Sequence, residues 1–318
     1  MNILVLDDYQ RGISDLPSFG KLRDHQVTVL DRPLDQVANV DDLLASTEAV
    51  ILLRERSRVD AALLARMPRL RYISQTGKVG KHVDVDACSK RGVLIAEGAG
   101  TAYAAAELAF LLTMSAMRNL VQEIDGMKAG RFGISLGRTL KGRTLGILGY
   151  GKVGVLMARF ASAFGMTVVV HGSDASMARA TVDGHGGIAD RARFFATCDA
   201  VSIHLRLAPA TRGSVREDDL MHMKPDAVLV NTARAEIVDQ RGLENALRAG
   251  RPRVAAVDVY MQEPPSPVSD PIIALPNVIA TPHIGYLDVD SFEIMMASAI
   301  DNLLAVVAGD RASVVGNA

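Results

Sequence analysis

Residues 144–172 read TLGILGYGKVGVLMARFASAFGMTVVVHG, and this stretch decides the fold. An apolar β-rich run, Thr144–Leu148, leads into Gly149-Tyr150-Gly151-Lys152-Val153-Gly154. A helical pattern follows to about Gly165, and a second β-rich run, Thr167–His171, comes next. Glycines at this spacing are weak evidence alone, but between a strand and a helix they read as the phosphate-binding turn of a dinucleotide site. Gly149 permits the tight turn, Gly151 lets the backbone approach a pyrophosphate, and Gly154 lets the helix pack closely on the strand. The helix start at Lys152 and Val153 presents unpaired N–H groups and the positive end of the helix dipole. A glycine-rich turn without a ligand is the plainer alternative; the order strand, turn, helix, strand argues against it.

Outward from this stretch, short β-rich runs alternate with helical ones. Before it come Asn2–Leu6, Val27–Leu30, Ala49–Leu53 and Arg71–Ser74, with helical patterns at Val40–Ala45 and Ala61–Ala65. After it come Ala200–Leu205, Ala227–Asn231, Val254–Val259 and Val278–Thr281, and then a helical run, Ser291–Gly309. Such alternation indicates βαβ units and parallel sheets. The expected class is α/β, with two doubly wound parallel-sheet domains, the nucleotide-binding one Rossmann-type and inserted in the other. Residues 98–286 are assigned to the nucleotide domain, and residues 1–97 with 287–318 to a discontinuous substrate domain. A length of 318 residues suits two domains of about 150 each. The stretch Ala102–Met117 has no Gly or Pro and is apolar on most faces, so a buried helix is expected there.

Formal net charge is −1, so bulk charge gives no reason to expect a nucleic-acid or membrane partner. The two cysteines, Cys88 and Cys198, have neither metal-ligand nor redox spacing, and no metal site is expected. The start, MNILVLDDYQ, lacks the basic residues and long apolar run of an export signal. No run approaches the ~18 apolar residues of a membrane span. The expectation is a soluble cytoplasmic protein with free thiols.

Three segments place polar residues just past β-rich runs, where open α/β sheets bind ligands. VLVNTARAEIVD, residues 228–239, carries Arg234; AAVDVYMQEPP, residues 255–265, carries Asp258 and Glu263; VIATPHIGY, residues 278–286, carries His283. Taken singly, Arg234 also reads as a surface cation, Glu263 as a loop acid and His283 as a structural histidine. Together they form a chemical set. An arginine binds a carboxylate bidentately. A histidine donates a proton to a developing alkoxide near neutral pH. A neighbouring carboxylate orients the imidazole and favours its protonated form. A nicotinamide dinucleotide would supply the hydride.

The chain resembles the D-isomer-specific 2-hydroxyacid dehydrogenases over nearly its whole length. The resemblance runs through ILLRERSRV (residues 51–59), RLRYISQTGKVGKHVDVDACSKRGV (69–93), AELAFLLTMSAMRNL (106–120), the glycine turn, HLRLAPATRG (204–213) and the three segments above. It implies an NAD- or NADP-dependent oxidoreductase acting on a small 2-keto or 2-hydroxy acid. Arg234 then matches the substrate-binding arginine, His283 the proton donor or acceptor, and Glu263 the acid behind it. Asp258 matches an acid that contacts the nicotinamide carboxamide, with Thr232 and Ala233 on the cofactor side. Arg54 matches another substrate-side arginine, and Gly77-Lys78-Val79 the loop whose N–H groups meet the substrate carboxylate. The resemblance also implies a homodimer that uses the helical region near Ala102–Met117.

Departures from the pattern are Ala235 for a glycine, the bulky Tyr286 and Leu287 for small residues, Lys78 for an apolar residue, and Arg206 for a proline. Lys78 reads either as a holder of a second anionic group or as a solvated side chain. An NAD-selective site carries an acid at the end of the second strand. Here that position is Gly172, followed by Ser173, with Asp174 two residues late. Arg206 and Arg179 could meet a 2′-phosphate, which slightly favours NADP; the alternative has Asp174 bending back to the ribose while Arg206 stacks on adenine. A different function class, a non-catalytic dinucleotide-sensing scaffold like the family's corepressors, is opposed by the retained Arg–Glu–His set and the absence of long disordered tails. Formate oxidation is opposed by Glu263.

Overall fold

The structure is a computed structural model that describes residues 1–315. It divides into two units: Met1–Thr101 with the chain from Asp288 onward, and Ala102–Leu287.

The first unit is built on strands β1 (Asn2–Val5), β2 (Gln26–Val29), β3 (Ala49–Leu52), β4 (Tyr72–Gln75) and β5 (Leu94–Glu97). Pairing is parallel in the order β5-β4-β3-β1-β2, a doubly wound arrangement. Every residue of β3 and β4 is buried, as expected of strands covered on both faces. The long helix Val289–Val307 lies on this sheet. The Ser74 hydroxyl donates to its Ala299 carbonyl at 2.6 Å, and the Asn302 amide donates to the Glu97 carbonyl at 2.8 Å.

The second unit holds β6 (Thr144–Leu148), β7 (Thr167–His171), β8 (Gly186–Gly187), β9 (Ala200–Ile203), β10 (Val228–Asn231), β11 (Val254–Val257) and β12 (Val278–Ala280). Its seven strands run parallel in the order β12-β11-β10-β9-β6-β7-β8. The order reverses beside β6, which places the topological switch, and so the expected ligand crevice, at the glycine turn. The last strand, β13 (Val314–Val315), pairs antiparallel with β5 at the edge of the first sheet.

The helix Tyr103–Met117 is buried along most of its length, as expected of a stretch apolar on most faces. Ala106, Ala109, Phe110, Leu112 and Met117 pack into the second unit, with Phe110 against the rings of Phe160 and Phe164 at 5.9 and 5.0 Å. Tyr103 and Leu111 are about half exposed, at 54% and 51%. Within this helix only Tyr103, Glu107 and Leu111, one turn apart, are exposed. Among the described residues, no single helix is long and apolar enough to cross a membrane.

Candidate active site

β6 ends at Leu148, and the chain turns at once. Gly149 has φ +96°, and a side chain there would strike the His204 carbonyl at 2.9 Å. A Cβ on Gly154 would lie 2.5 Å from the Gly149 carbonyl oxygen, so helix and turn can close up only over a hydrogen. Gly151 differs: a Cβ there would meet nothing within 4 Å, so the space before the helix is open. No side chain caps the helix Lys152–Ala163, which leaves its first N–H groups for an anion. The turn is therefore a cradle of the shape a pyrophosphate needs.

Past β7, Gly172 contributes no side chain and Ser173 caps the helix Asp174–Val182, its hydroxyl accepting from Ser176 N at 3.3 Å. Asp174, in the first turn of that helix, is exposed. Arg179 reaches back to the glycine turn and donates from Nη2 to the Tyr150 carbonyl at 2.7 Å. Arg206 is exposed on the loop after β9, and its carbonyl accepts from the Thr211 hydroxyl at 2.6 Å. At the end of β9 the Ser202 hydroxyl meets His204 Nε2 at 2.8 Å, and burial pushes His204 down to about 4.

The three polar segments singled out in the sequence stand past β10, β11 and β12. At the first, the Asn231 amide donates to the Arg234 carbonyl at 3.0 Å while its oxygen accepts from Ala233 N at 3.1 Å. This fixes the turn that carries the half-buried Arg234, whose Nη1 folds back to donate to the Ala233 carbonyl at 2.7 Å. Thr232 Oγ1 is buried there without a hydrogen-bond partner among the described residues. A buried hydroxyl in that state is costly unless a ligand satisfies it.

Past β12, His283 sits in the left-handed region at φ +52°, at a cost of about 1–2 kcal/mol for a non-glycine residue. Asp258, just past β11 and buried, holds that loop. Its carboxylate accepts from the Thr281 hydroxyl at 2.6 Å, Ile284 N at 2.8 Å and Gly285 N at 2.9 Å. Burial nonetheless pushes its carboxyl above the usual range, against the pull of those donors. Both Asp258 oxygens are engaged inside the chain, so its observed work is to anchor the histidine loop. Tyr260 braces the same loop by donating its hydroxyl to the Thr281 carbonyl at 2.7 Å.

His283 Nδ1 lies 2.7 and 2.9 Å from the two oxygens of Glu263. Burial tends to raise the Glu263 carboxyl. The His283 hydrogen bond and charge, with help from Tyr260 N–H and Arg234, outweigh burial and hold it below its usual value. The bonded Nδ1 leaves Nε2 as the imidazole's outward nitrogen. The Tyr286 ring stands edge-on to the imidazole at 5.6 Å, which makes the bulky departure a neighbour of the reacting group.

In the first unit, Arg54 follows β3 in the left-handed region at φ +55°. Its guanidinium lies so close to Gly77 that a Cβ there would be 2.9 Å from Nη1. Val79 N donates to Glu97 Oε1 at 2.8 Å, and Lys78 Nζ pairs with Glu97 Oε2 at 2.5 Å. Of the three expected N–H groups, Val79's is thus already used. The exposed Lys78 is neutralised by Glu97 rather than standing as an added cation. Glu97 ends β5, a strand the pattern reading missed, so its partnership with the loop could not be anticipated.

A Rossmann sheet with an open glycine cradle at its switch point defines a dinucleotide-binding protein. The NAD binding domain of the D-isomer specific 2-hydroxyacid dehydrogenases matches residues 110–285, and the chain belongs to that family. A phosphoglycerate oxidoreductase of Vibrio cholerae O395 is 43% identical, with TM-score 0.91 over 98% of this chain and 100% of its own. A Ralstonia solanacearum protein described as a D-3-phosphoglycerate dehydrogenase oxidoreductase is 40% identical, with TM-score 0.93 over 99% of this chain and 96% of its own. The glyoxylate reductase of Korarchaeum cryptofilum is 32% identical over 261 residues, 79% of this chain and 77% of its own. The chain spans between 45% and 59% of the length of the curated D-3-phosphoglycerate dehydrogenases it matches.

Proposed function

We propose that this protein is an NAD(P)-dependent D-2-hydroxyacid dehydrogenase that reduces a small 2-keto acid or oxidises the matching hydroxy acid. The observation that carries the reading is the Glu263–His283 pair, with Nδ1 bound to the carboxylate at 2.7 Å and Nε2 left for a substrate oxygen. In reduction, His283 Nε2 donates a proton to the carbonyl oxygen as it becomes an alkoxide, and Glu263 stabilises the imidazolium and fixes its ring. Arg234 binds and orients the substrate carboxylate. Arg54, with the N–H groups of Gly77 and Lys78, supports binding of an acidic substrate on the first unit. Gly149, Gly151, Lys152, Val153 and Gly154 hold the pyrophosphate; Thr232, whose hydroxyl has no partner among the described residues, and Ala233 line the cofactor side. A bound nicotinamide supplies the hydride. A panel of 2-keto acids tested spectrophotometrically with NADH and NADPH checks the reading, and no turnover on any of them would count against it.

The cofactor corner favours NADPH. Gly172 offers no carboxylate to repel a 2′-phosphate, and Arg179 is anchored to the turn itself through the Tyr150 carbonyl. Arg206, exposed on the loop after β9, contributes a second cation. Calorimetric titration with NADP⁺ and NAD⁺ should show tighter NADP⁺ binding that Arg179→Ala reduces; a wild-type preference for NAD⁺ above about tenfold, ~1.4 kcal/mol, refutes it.

The chain is also proposed to work as a symmetric dimer in the cytoplasm. Tyr103 and Leu111 on one helix, with Met127, Phe132 and Leu136 beyond it, leave apolar surface bare, Phe132 at 91% and Leu136 at 96%. Light scattering at micromolar concentration should give twice 34.0 kDa.

A further inference from the structure

The left-handed Arg54 is gripped from both sides. Its N–H donates to the Thr76 hydroxyl at 2.9 Å, and its carbonyl accepts from the Gln75 side-chain amide at 2.6 Å. Thr76 and Gln75 are both 1% exposed, so the grip on Arg54 is made by side chains rooted in the interior. Thr76 is itself tied down, its hydroxyl donating to the Leu52 carbonyl at 3.0 Å. Gln75 is tied down by His82, whose Nε2 lies 3.2 Å from the Gln75 oxygen. Because the Gln75 nitrogen is spent on Arg54, its oxygen faces the imidazole, and Nε2 must carry the proton.

The other ring nitrogen gains nothing. His82 Nδ1 is buried and has no hydrogen-bond partner among the described residues. It lies 3.3 Å from where a side chain on Gly80 would begin, and the Glu55 carboxylate lies 3.5 Å from the same point. An apolar residue would fill this space without an orphaned nitrogen, so the imidazole's value lies in the one bond it makes. The two loops are also joined beyond it. Val59 N donates to the His82 carbonyl at 2.7 Å, and Asp84 N donates to the Val59 carbonyl at 2.8 Å. The segments 54–59 and 77–84 thus form one braced piece, with His82 as its interior strut.

We propose that His82 is a positioning residue for substrate binding: through Gln75 it locks Arg54 in the left-handed conformation that holds the guanidinium over Gly77. Without the strut, the Gln75 amide turns freely, the grip on the Arg54 carbonyl loosens, and the backbone relaxes toward an ordinary conformation. The guanidinium then leaves the Gly77 loop. The proposal rests on the reading of Arg54 as a substrate-side cation.

The test measures KM and kcat for the best 2-keto acid, together with the dinucleotide Kd, in His82→Ala, Arg54→Ala and the double variant. His82→Ala should raise KM about tenfold, with kcat and the dinucleotide Kd changed less than about twofold. In the Arg54→Ala background, His82→Ala should add almost nothing, because the strut then has nothing to hold. His82→Gln, whose terminal amide stands about where Nε2 does, should restore most of the wild-type KM. Gln75→Met removes the same grip by a different side chain and should reproduce the His82→Ala effect, so the proposal stays testable if His82→Ala is unstable. An unchanged KM in folded His82→Ala or Gln75→Met while Arg54→Ala raises it, or a full extra tenfold in the double variant, overturns the proposal and leaves Arg54's role standing. An unchanged KM in Arg54→Ala removes the role of Arg54 and the proposal with it.

Discussion

Glu263→Gln is the substitution that separates charge from geometry in the reacting pair. Glutamine keeps the length of the side chain and an oxygen able to accept from His283 Nδ1, but it carries no charge. At ~4 Å, two unit charges interact by about 4 kcal/mol in a medium of effective dielectric about 20, and by about 1 kcal/mol in water. The His283 and Glu263 side chains are 30% and 39% exposed, so screening places the pair toward the lower figure. A loss of about 1–2 kcal/mol corresponds to roughly tenfold in rate. Oxidation turns the imidazole into an imidazolium as the hydroxyl proton leaves, so in Glu263→Gln its kcat should fall about tenfold, while Glu263→Ala, which also frees the ring, should lower it further. Steady-state kcat on a good substrate reads this directly. A wild-type kcat in Glu263→Gln would show that Glu263 only positions the ring, and the electrostatic account would be wrong.

Three further outcomes follow from the geometry. His283→Ala should lower kcat by roughly 10²–10⁴-fold, while Arg234→Ala should chiefly raise KM; initial rates on a good substrate distinguish the two. Gly154→Ala forces a Cβ to 2.5 Å from the Gly149 carbonyl, so it should weaken dinucleotide binding by more than about tenfold and cost about 1–3 kcal/mol of stability, read by titration and urea denaturation. His204 binds a proton near 6.5 when unfolded and only near 4 when folded, so the stability it contributes is present above pH 6.5 and is lost as pH falls toward 4; His204→Asn should flatten the urea midpoint over that window.

Much of this architecture is legible in the chain because strand patterns and glycine spacing are local. The runs Thr144–Leu148 and Thr167–His171 coincide with β6 and β7, since each is a short apolar stretch bounded by turn residues. β8 and β13 are two residues each and carry no period, whereas β5 was missed although Val93–Ala96 is an apolar run after Gly92, the same kind of signal that marks β6 and β7. The helix Leu120–Lys128 lies outside every element read from the sequence; it starts after the left-handed Asn119, and Gly126 interrupts its helical pattern. At the site, residue types and order pointed to Arg234, Glu263 and His283, since chemistry restricts which side chains serve. The bonds from Glu97 to Val79, from Arg179 to Tyr150 and from His82 to Gln75 join groups whose pairing depends on how loops fold back. No period or spacing in the sequence announces them.

The Asp258 anchor has a consequence for how this rim can change over evolutionary time. β11 and β12 pair with Ala255 opposite Val278 and Val257 opposite Ala280, which sets Asp258 beside Thr281. The imidazole's place is therefore inherited across the sheet, from register and three hydrogen bonds, and owes little to the chain that runs between the strands. The turn Ser266–Ser269 in that excursion closes on itself through hydrogen bonds between its own two serines. Insertions or deletions at that tip leave both Glu263 and His283 where they are. Descendants of this chain can thus rebuild the outer wall of the rim, and with it what approaches the site, while His283 stays fixed.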